Sequence, residues 1–445
     1  MARRGDVVTR AEAVLALVAA ALVVAGLVAL AFRHTVAVGV ALAAVAVAGG
    51  CAWTAISRRG AARRAAAVAG IVALAIGAVA LVVADAFPEL ALLVLAGVVF
   101  MRAARTPLRR QWEGDVAERH VVRRARSTPS RAGVILLNPR SGDGKGERLD
   151  LAHEARRRGI EVVVLGPRDD LRKLAHEAAR RTDVIGMAGG DGSQALVAEV
   201  AVERGVEFVC IPAGTRNHLA HDLGIDRDDA VGALDAFVGD EVVLVDLPTV
   251  NGRVFVNNVS LGVYAAVVQS DAYRGGKWAT FEELAPTLLG PDARPFDLRF
   301  RTPDGRQRLT AQLVLVSNNP YVFDRIGGLG SRPRLDTGML GILAIEIAGA
   351  KQAAELAAWN EIGEPYRFRG FHQWAAEEFE VDSGDEVAAG IDGEATVLAP
   401  PLRFTTAAGA LAVRLPPGAG PAPAAASPNL RRSALRDLWR SAAGR

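Results

Sequence analysis

Residues 187–193, Met-Ala-Gly-Gly-Asp-Gly-Ser, place one carboxylate inside a run of glycines. An apolar run at 184–187 precedes them and a helix-like stretch at 194–203 follows. Glycines at such a junction let the backbone approach a ligand, and a helix start presents N–H groups that favour an anion. Asp191 would repel a phosphate there unless a metal ion or a proton-carrying group accompanies it. The combination points to chemistry on a nucleotide phosphate. A second acidic cluster, Ile391-Asp392-Gly393-Glu394, lies far along the chain. A turn at Gly393 would aim Asp392 and Glu394 into a cleft.

Two further polar, glycine-rich stretches each follow an apolar run. One is Asn138-Pro139-Arg140-Ser141-Gly142-Asp143-Gly144-Lys145-Gly146, and the other is Pro212-Ala213-Gly214-Thr215-Arg216-Asn217-His218. The first lacks the Gly-Lys-Ser/Thr ending of a P-loop, because Gly146 follows Lys145, and a GxGxxG dinucleotide fingerprint is also missing. These stretches must be positioned by the elements around them. Apolar runs at 133–138, 160–165, 183–187 and 207–211 read as buried strands. They alternate with helical patterns at 147–158, 170–181, 194–203 and 217–223. That alternation predicts a parallel sheet covered on both faces, with ligands at the carboxyl edge of the strands. All three glycine-rich loops fall on that edge.

From about Val242 the pattern changes to short strands at 242–247, 254–258, 296–301, 309–317, 341–347, 377–381 and 396–398. Turn signals at Asn251-Gly252 and Pro303-Asp304-Gly305 separate some of them, and one helix is expected at 350–360. This predicts a largely antiparallel β domain stacked on the first.

The N-terminal region differs from both. Apolar runs at 11–32, 36–56 and 65–84 are of spanning length, since a span takes roughly 20 residues. A shorter run at 87–101 would need Ala103 and Ala104, with Arg102 snorkelling. Arg3, Arg4 and Arg10 precede the first run, Arg58, Arg59, Arg63 and Arg64 follow the second, and Arg102, Arg105, Arg109 and Arg110 follow the fourth. The positive-inside tendency then gives four spans with both ends cytoplasmic, read as an anchor and not an ion pathway. With 52 basic and 49 acidic residues the chain is slightly positive, and most of the excess arginine flanks the apolar runs and the tail, so charge is a weak argument for nucleic acid. With only Cys51 and Cys210, a disulfide framework and a cysteine zinc site are excluded.

Taken together, the motifs resemble the diacylglycerol kinase catalytic-domain family, which includes bacterial lipid kinases and sphingosine kinases. They are Asn-Pro-x-Ser-Gly at 138–142, Gly-Gly-Asp-Gly-Ser at 189–193, Gly-Thr-x-Asn at 214–217, Phe-x-Asn at 255–257 with Gly262, and Asp-Gly-Glu at 392–394. The segments 401–404 and 411–415 resemble the family's final strands. The resemblance covers about 133–415. It implies an α/β nucleotide-binding domain plus a mainly antiparallel β-sandwich domain, here preceded by an all-α transmembrane bundle. It also implies ATP and Mg²⁺ as cofactors, and transfer of the γ-phosphate to a lipid hydroxyl such as that of diacylglycerol. Asn138, Pro139, Ser141, Gly142, Gly189, Gly190, Gly192, Ser193, Gly214, Thr215 and Asn217 would bind the nucleotide. Asp191, Asp392 and Glu394 would be the catalytic carboxylates, with the identity of the base left open among them. His218 stands where the family often has an aspartate, with Asp222 one turn on as a substitute. Thr337 stands where a structural magnesium is often bound, leaving Asp336 as its candidate ligand.

The expected division is 1–110 transmembrane, 111–131 linker, 132–245 nucleotide domain, 246–415 lipid-binding domain and 416–445 tail. The tail reads as a Pro/Ala-rich linker followed by a basic amphipathic segment at 429–445. Expected partners are a membrane lipid and the bilayer at the cell membrane, with the catalytic domains cytoplasmic, no nucleic acid, and a homodimer left open. Two other readings stay open: a nucleotide- or lipid-sensing membrane module without turnover, and an NAD kinase-like enzyme, for which an anchor would serve no purpose.

Overall fold

The computed structural model describes residues 2–57, 60–86, 88–100, 102–104, 124–126, 133–263, 265, 296–305, 307–308, 311–322, 332–347, 350–361, 364–419, 439 and 442–443. The N-terminal region is helical: α1 (Ala2–Arg33), α2 (Thr35–Ser57), α3 (Gly60–Val83) and a shorter α4 (88–100). Among the described residues three helices are long and apolar enough to cross a membrane. The fourth apolar run is helical too, but it falls short of that length. Small residues set the contacts. A Cβ on Gly77 would lie 2.9 Å from the Ala44 Cβ, and one on Gly70 would lie 3.2 Å from the Cys51 Cβ, so α2 and α3 pack closely. Ala13, Ala16 and Ala19 of α1 pack with Phe100, Ala103 and Ala104. The larger side chains, such as Leu22, Leu42, Ile71 and Leu92, point outward and are exposed.

The strands are β1 (Arg124–Arg126), β2 (Val134–Leu137), β3 (Glu161–Val164), β4 (Val184–Gly189), β5 (Glu207–Pro212), β6 (Glu241–Val250), β7 (Arg253–Val254), β8 (Asn258–Gly262), β9 (Phe300–Arg301), β10 (Gln307–Arg308), β11 (Leu313–Asn318), β12 (Leu340–Ile345), β13 (Phe371–Ala376), β14 (Glu378–Val381), β15 (Val387–Ile391), β16 (Glu394–Leu398) and β17 (Leu402–Arg414). The later helices are α5 (Lys145–Arg148), α6 (Leu151–Arg157), α7 (Leu171–Ala179), α8 (Asp191–Arg204), α9 (His218–Asp222) and α10 (Ala350–Glu361).

β5, β4, β2 and β3 lie side by side and parallel. β2 and β4 are buried at every residue, as expected of apolar strands covered by helices on both faces. α8 starts at Asp191, earlier than the sequence pattern suggests, because extended Gly190 acts as its cap. Asp191 therefore sits in the first turn of a helix, where a negative charge is favoured. The helix expected at 147–158 breaks into α5 and α6 at Asp150, which takes a left-handed φ of 46°.

The second sheet, β13-β12-β11-β8-β15-β16, is antiparallel throughout. Its inner face packs on β14, β17 and the end of β6 through Phe255, Phe300, Phe379 and Phe404, the core of a sandwich. The boundary expected at 245/246 falls inside β6. β17 likewise belongs to both layers: it pairs with β14 at Leu402 and runs parallel to β5 at Val413. The strand expected at 254–258 is divided, because residues 255–257 leave the ladder between β7 and β8. β1 lies within the expected linker and pairs with β6, while most of that linker and nearly all of the amphipathic tail lie outside the described residues.

Candidate active site

The three glycine-rich loops meet at the carboxyl ends of β2, β4 and β5, and carry all of the expected nucleotide-binding residues. They touch backbone to backbone. A Cβ on Gly214 would lie 2.4 Å from the Gly190 Cα, and one on Gly142 would lie 2.5 Å from the Ala213 carbonyl oxygen. Only glycine permits that spacing. Side chains then pin each loop. The Asn138 Oδ1 accepts from the Arg140 N–H at 3.1 Å, an Asx turn that shapes the 138–142 stretch around Pro139 and Ser141. Asn217, in left-handed conformation, clamps its own turn: Oδ1 accepts from the Gly214 N–H at 2.9 Å and Nδ2 donates to the Gly214 carbonyl at 2.7 Å. The Lys145 ammonium donates to the carbonyls of Pro212 at 3.0 Å and Arg227 at 2.6 Å. It ties the first loop to the third. Ser193 sits beyond Gly192 in the first turn of α8, and Thr215 is exposed at the rim.

The three carboxylates differ in what holds them. Asp191 is buried and its oxygens accept from the N–H groups of His218 at 3.1 Å and Leu219 at 3.3 Å, the first two residues of α9. Burial holds the nearby His218 imidazole below its usual range, against the pull of Asp191 and Asp222. Asp392 and Gly393 form the two-residue turn between β15 and β16, with φ of 49° and 87°. Two left-handed residues are what a type I′ hairpin demands, and Asp-Gly supplies them. The Asp392 carboxylate accepts from three N–H groups: Val256 at 2.9 Å, Asn257 at 2.8 Å and Asn258 at 3.1 Å. Burial pushes its pKa up to about 7, with the Asp191 charge acting in the same direction and the three N–H groups opposing. Glu394, by contrast, is exposed. It reaches from the second sheet to the α8 N-terminus, where a Cβ on Gly192 would lie 2.4 Å from its Oε1.

A cleft of about 240 Å³ runs between α8 and the 392–394 turn, lined by Gly192, Ser193, Asp392 and Glu394 with Arg172 and Arg253. Arg253 Nη2 stands 3.7 Å from Glu394 Oε2. Arg216 of the third loop reaches the turn as well, its Nη1 3.4 Å from where a Gly393 Cβ would be. Sequence reading named none of these arginines as site residues. Arg216 was legible in principle, since it fills the variable position of Gly-Thr-x-Asn.

Asp222, one turn on from His218, is buried. It pairs with a buried arginine, Arg332, whose Nε donates to its Oδ2 at 2.6 Å. Asp336, expected as a metal ligand, instead accepts from Arg334 Nε at 2.9 Å, while the Thr337 hydroxyl and N–H both donate to Asn319 Oδ1. With Asp336 paired to a guanidinium and the Thr337 hydroxyl donating to Asn319, the donor set here does not fit a structural magnesium. The nucleotide's own metal is a different case. Mg²⁺ is commonly held by one or two carboxylates together with phosphates. Asp191 at the loop edge would supply one such carboxylate, each of its oxygens keeping a further lone pair, and no cluster of three ionisable ligands among the described residues would hold the ion without the nucleotide.

A family model described as the diacylglycerol kinase catalytic domain matches residues 132–250. A diacylglycerol kinase of Mycobacterium tuberculosis is 33% identical over 255 residues, covering 54% of this chain and 79% of that protein. One from Bacillus subtilis is 26% identical over 235 residues, covering 51% and 76%. A crystal structure of a Bacillus anthracis protein assigned as a diacylglycerol kinase shares the fold, with a TM-score of 0.51 at 23% identity, covering 65% of this chain and 99% of that one. With four-fifths of the mycobacterial protein's length matched at this identity, and with the loops converging as described, the chain belongs to the diacylglycerol kinase family.

Proposed function

We propose that the chain is an ATP-dependent lipid kinase that transfers the γ-phosphate to the hydroxyl of diacylglycerol or a related lipid alcohol. The observation that carries this reading is Glu394 lying against Gly192 across the cleft. It brings an exposed carboxylate of the β domain, with Arg253 as its neighbour at 3.7 Å, to the start of α8, where N–H groups that favour an anion are presented. Amides of the 138–142, 189–193 and 214–217 loops hold the phosphates. Mg²⁺ bound with ATP supplies charge neutralisation on the transferring group. Glu394 takes the proton from the lipid hydroxyl as its oxygen attacks the γ-phosphorus. The bond to the bridging oxygen breaks and ADP departs. Asp191 and Asp392 have their oxygens engaged by backbone N–H groups and hold the loops in place. Arg216 and Arg253, which reach the 392–394 turn, would balance the negative charge that develops on the transferring group.

The α1–α4 segment serves as an anchor in this reading. Its outward apolar side chains suit a lipid environment, and Arg63, Arg64 and Arg102 favour a cytoplasmic site facing the leaflet that supplies the acceptor. The test is the full chain in vesicles of mixed lipids with γ-labelled ATP, followed by identification of the labelled lipid. Diacylglycerol or a related lipid alcohol should be labelled, and Glu394→Gln should reduce the rate at least 100-fold. Hydrolysis of ATP with no labelled lipid overturns the assignment.

A further inference from the structure

Asp191 opens α8 at the end of β4 and Asp392 lies in the β15–β16 turn of the second sheet, and each is held by N–H groups of another segment, α9 for the first and residues 256–258 for the second. Asp191 grips the first residues of α9, whose last residue, Asp222, is gripped by Arg332. The remainder of that guanidinium is spent on the segment that holds Asp392. Arg332 Nη1 donates to the carbonyls of Val256 at 2.7 Å, Asn257 at 3.4 Å and Asn318 at 3.1 Å, and Nη2 donates to Asn257 Oδ1 at 2.8 Å. The peptide groups involved have two ends. The carbonyl of Val256 shares a peptide plane with the Asn257 N–H, and the carbonyl of Asn257 shares one with the Asn258 N–H. Both N–H groups donate to Asp392 Oδ1. The guanidinium charge thus meets the Asp392 carboxylate through two polarised peptide units, an arrangement in which successive hydrogen bonds strengthen one another.

We infer that Arg332 is a positioning residue for phosphoryl transfer: one buried cation that sets the distance between the loop bearing Asp191 and the turn bearing Asp392 and Glu394. The inference rests on the kinase reading above. Arg332 is 1% exposed; its hydrogen bonds go to Asp222, residues 256–257 and Asn318, and its guanidinium lies 5.4 Å from the Tyr321 ring centroid, so it acts on the site through these residues. The geometry needs a guanidinium. Five acceptors lie around a planar fork, and an ammonium has three donors on one point and cannot span them. Stability alone does not account for the pair, since a buried ion pair is often no more stabilising than apolar residues of the same shape.

The experiment uses the full chain in lipid vesicles and compares Arg332→Lys, Asp222→Asn and the double variant with the unaltered chain. Rates are normalised to the fraction that binds nucleotide, and melting is followed in parallel. A positioning role predicts that kcat falls tenfold or more in each single variant while the KM for ATP stays within threefold. It also predicts that the double variant loses little more than the worse single one. Unchanged kcat per competent molecule, even with a lowered melting temperature, would reduce Arg332 to a structural brace and overturn the inference, as would fully additive losses. If Arg332→Lys does not fold, Asp222→Asn decides by the same kcat criterion. An unaltered chain that phosphorylates no lipid overturns the kinase reading itself, an outcome distinct from active protein insensitive to both substitutions.

Discussion

Gly192 and Gly214 separate two kinds of tightness at the site. An alanine Cβ at 192 would meet the end of an exposed, flexible carboxylate, whereas one at 214 would meet the Gly190 backbone at 2.4 Å. Gly192→Ala should therefore leave ATP affinity within about twofold and lower kcat by displacing Glu394. Gly214→Ala forces two loops apart and should weaken ATP binding at least tenfold, about 1.4 kcal/mol. Nucleotide titration beside initial rates checks both. Asp392 gives a pH dependence with a defined sign. Its carboxyl is raised to about 7 in the fold, against about 3.9 in an unfolded chain. Between those values the native state keeps a proton that the unfolded state has lost, so this group's contribution is present below about pH 4 and is lost as pH rises through 7. The unfolding free energy of the unaltered chain relative to Asp392→Asn should fall between pH 4 and 7 in denaturant titrations, and a rise would refute the burial argument. At this scale the glycines and Asp392-Gly393 were readable because a turn writes its needs into adjacent residues. The tasks of Asp191 and Asp336 were not, because what a carboxylate accepts depends on partners such as the His218 N–H and Arg334 that only folding or local geometry supplies.

Between elements, one-turn α9 is held at its start by Asp191 and at its end by Arg332. Arg332→Met leaves Asp222 buried without a counter-charge. Burial alone would push the Asp222 carboxyl up, and it stays below its usual range because of the Arg332 charge and its hydrogen bonds to His221 and Arg332. The cost should be about 3–5 kcal/mol in urea unfolding, the range for stripping one partner from a buried pair. Arg334 makes a second prediction at this scale. Because its guanidinium meets Asp336, chelation by EDTA in the absence of nucleotide should leave the melting temperature unchanged, and a drop of several degrees would show a metal that this geometry does not accommodate. The β/α alternation was legible through its unbroken apolar runs. β13 and β15 were not. The first alternates with half-buried residues, and the second is built of Ala and Gly, so neither stands out from loop sequence. The 255–257 segment read as strand because its residues favour strand, yet its N–H groups turn to Asp392 instead of a neighbour.

For the whole molecule, α1 to α4 and the catalytic layers place different demands on their surroundings. The outward Leu, Val and Ile of α1–α3 predict that the full chain stays with vesicles after an alkaline carbonate wash, while a fragment beginning at residue 111 is released. Release of the full chain would remove the case for spanning. The N-terminal runs were plain in the sequence by length alone. The interleaving of the two catalytic layers was not, since nothing in 402–414 announces that one strand serves both. β17 lies between β6 and β5 in the first sheet, so that sheet stays in two pieces until residues near 414 are in place. During synthesis, then, every residue of the nucleotide loops has left the ribosome long before the sheet beneath them can close. A prematurely terminated chain would expose the open edges of β5 and β6, which invite aggregation or proteolysis. A chain ending before β17 should therefore hold its three glycine-rich loops on an unfinished sheet and bind nucleotide more weakly than the full chain.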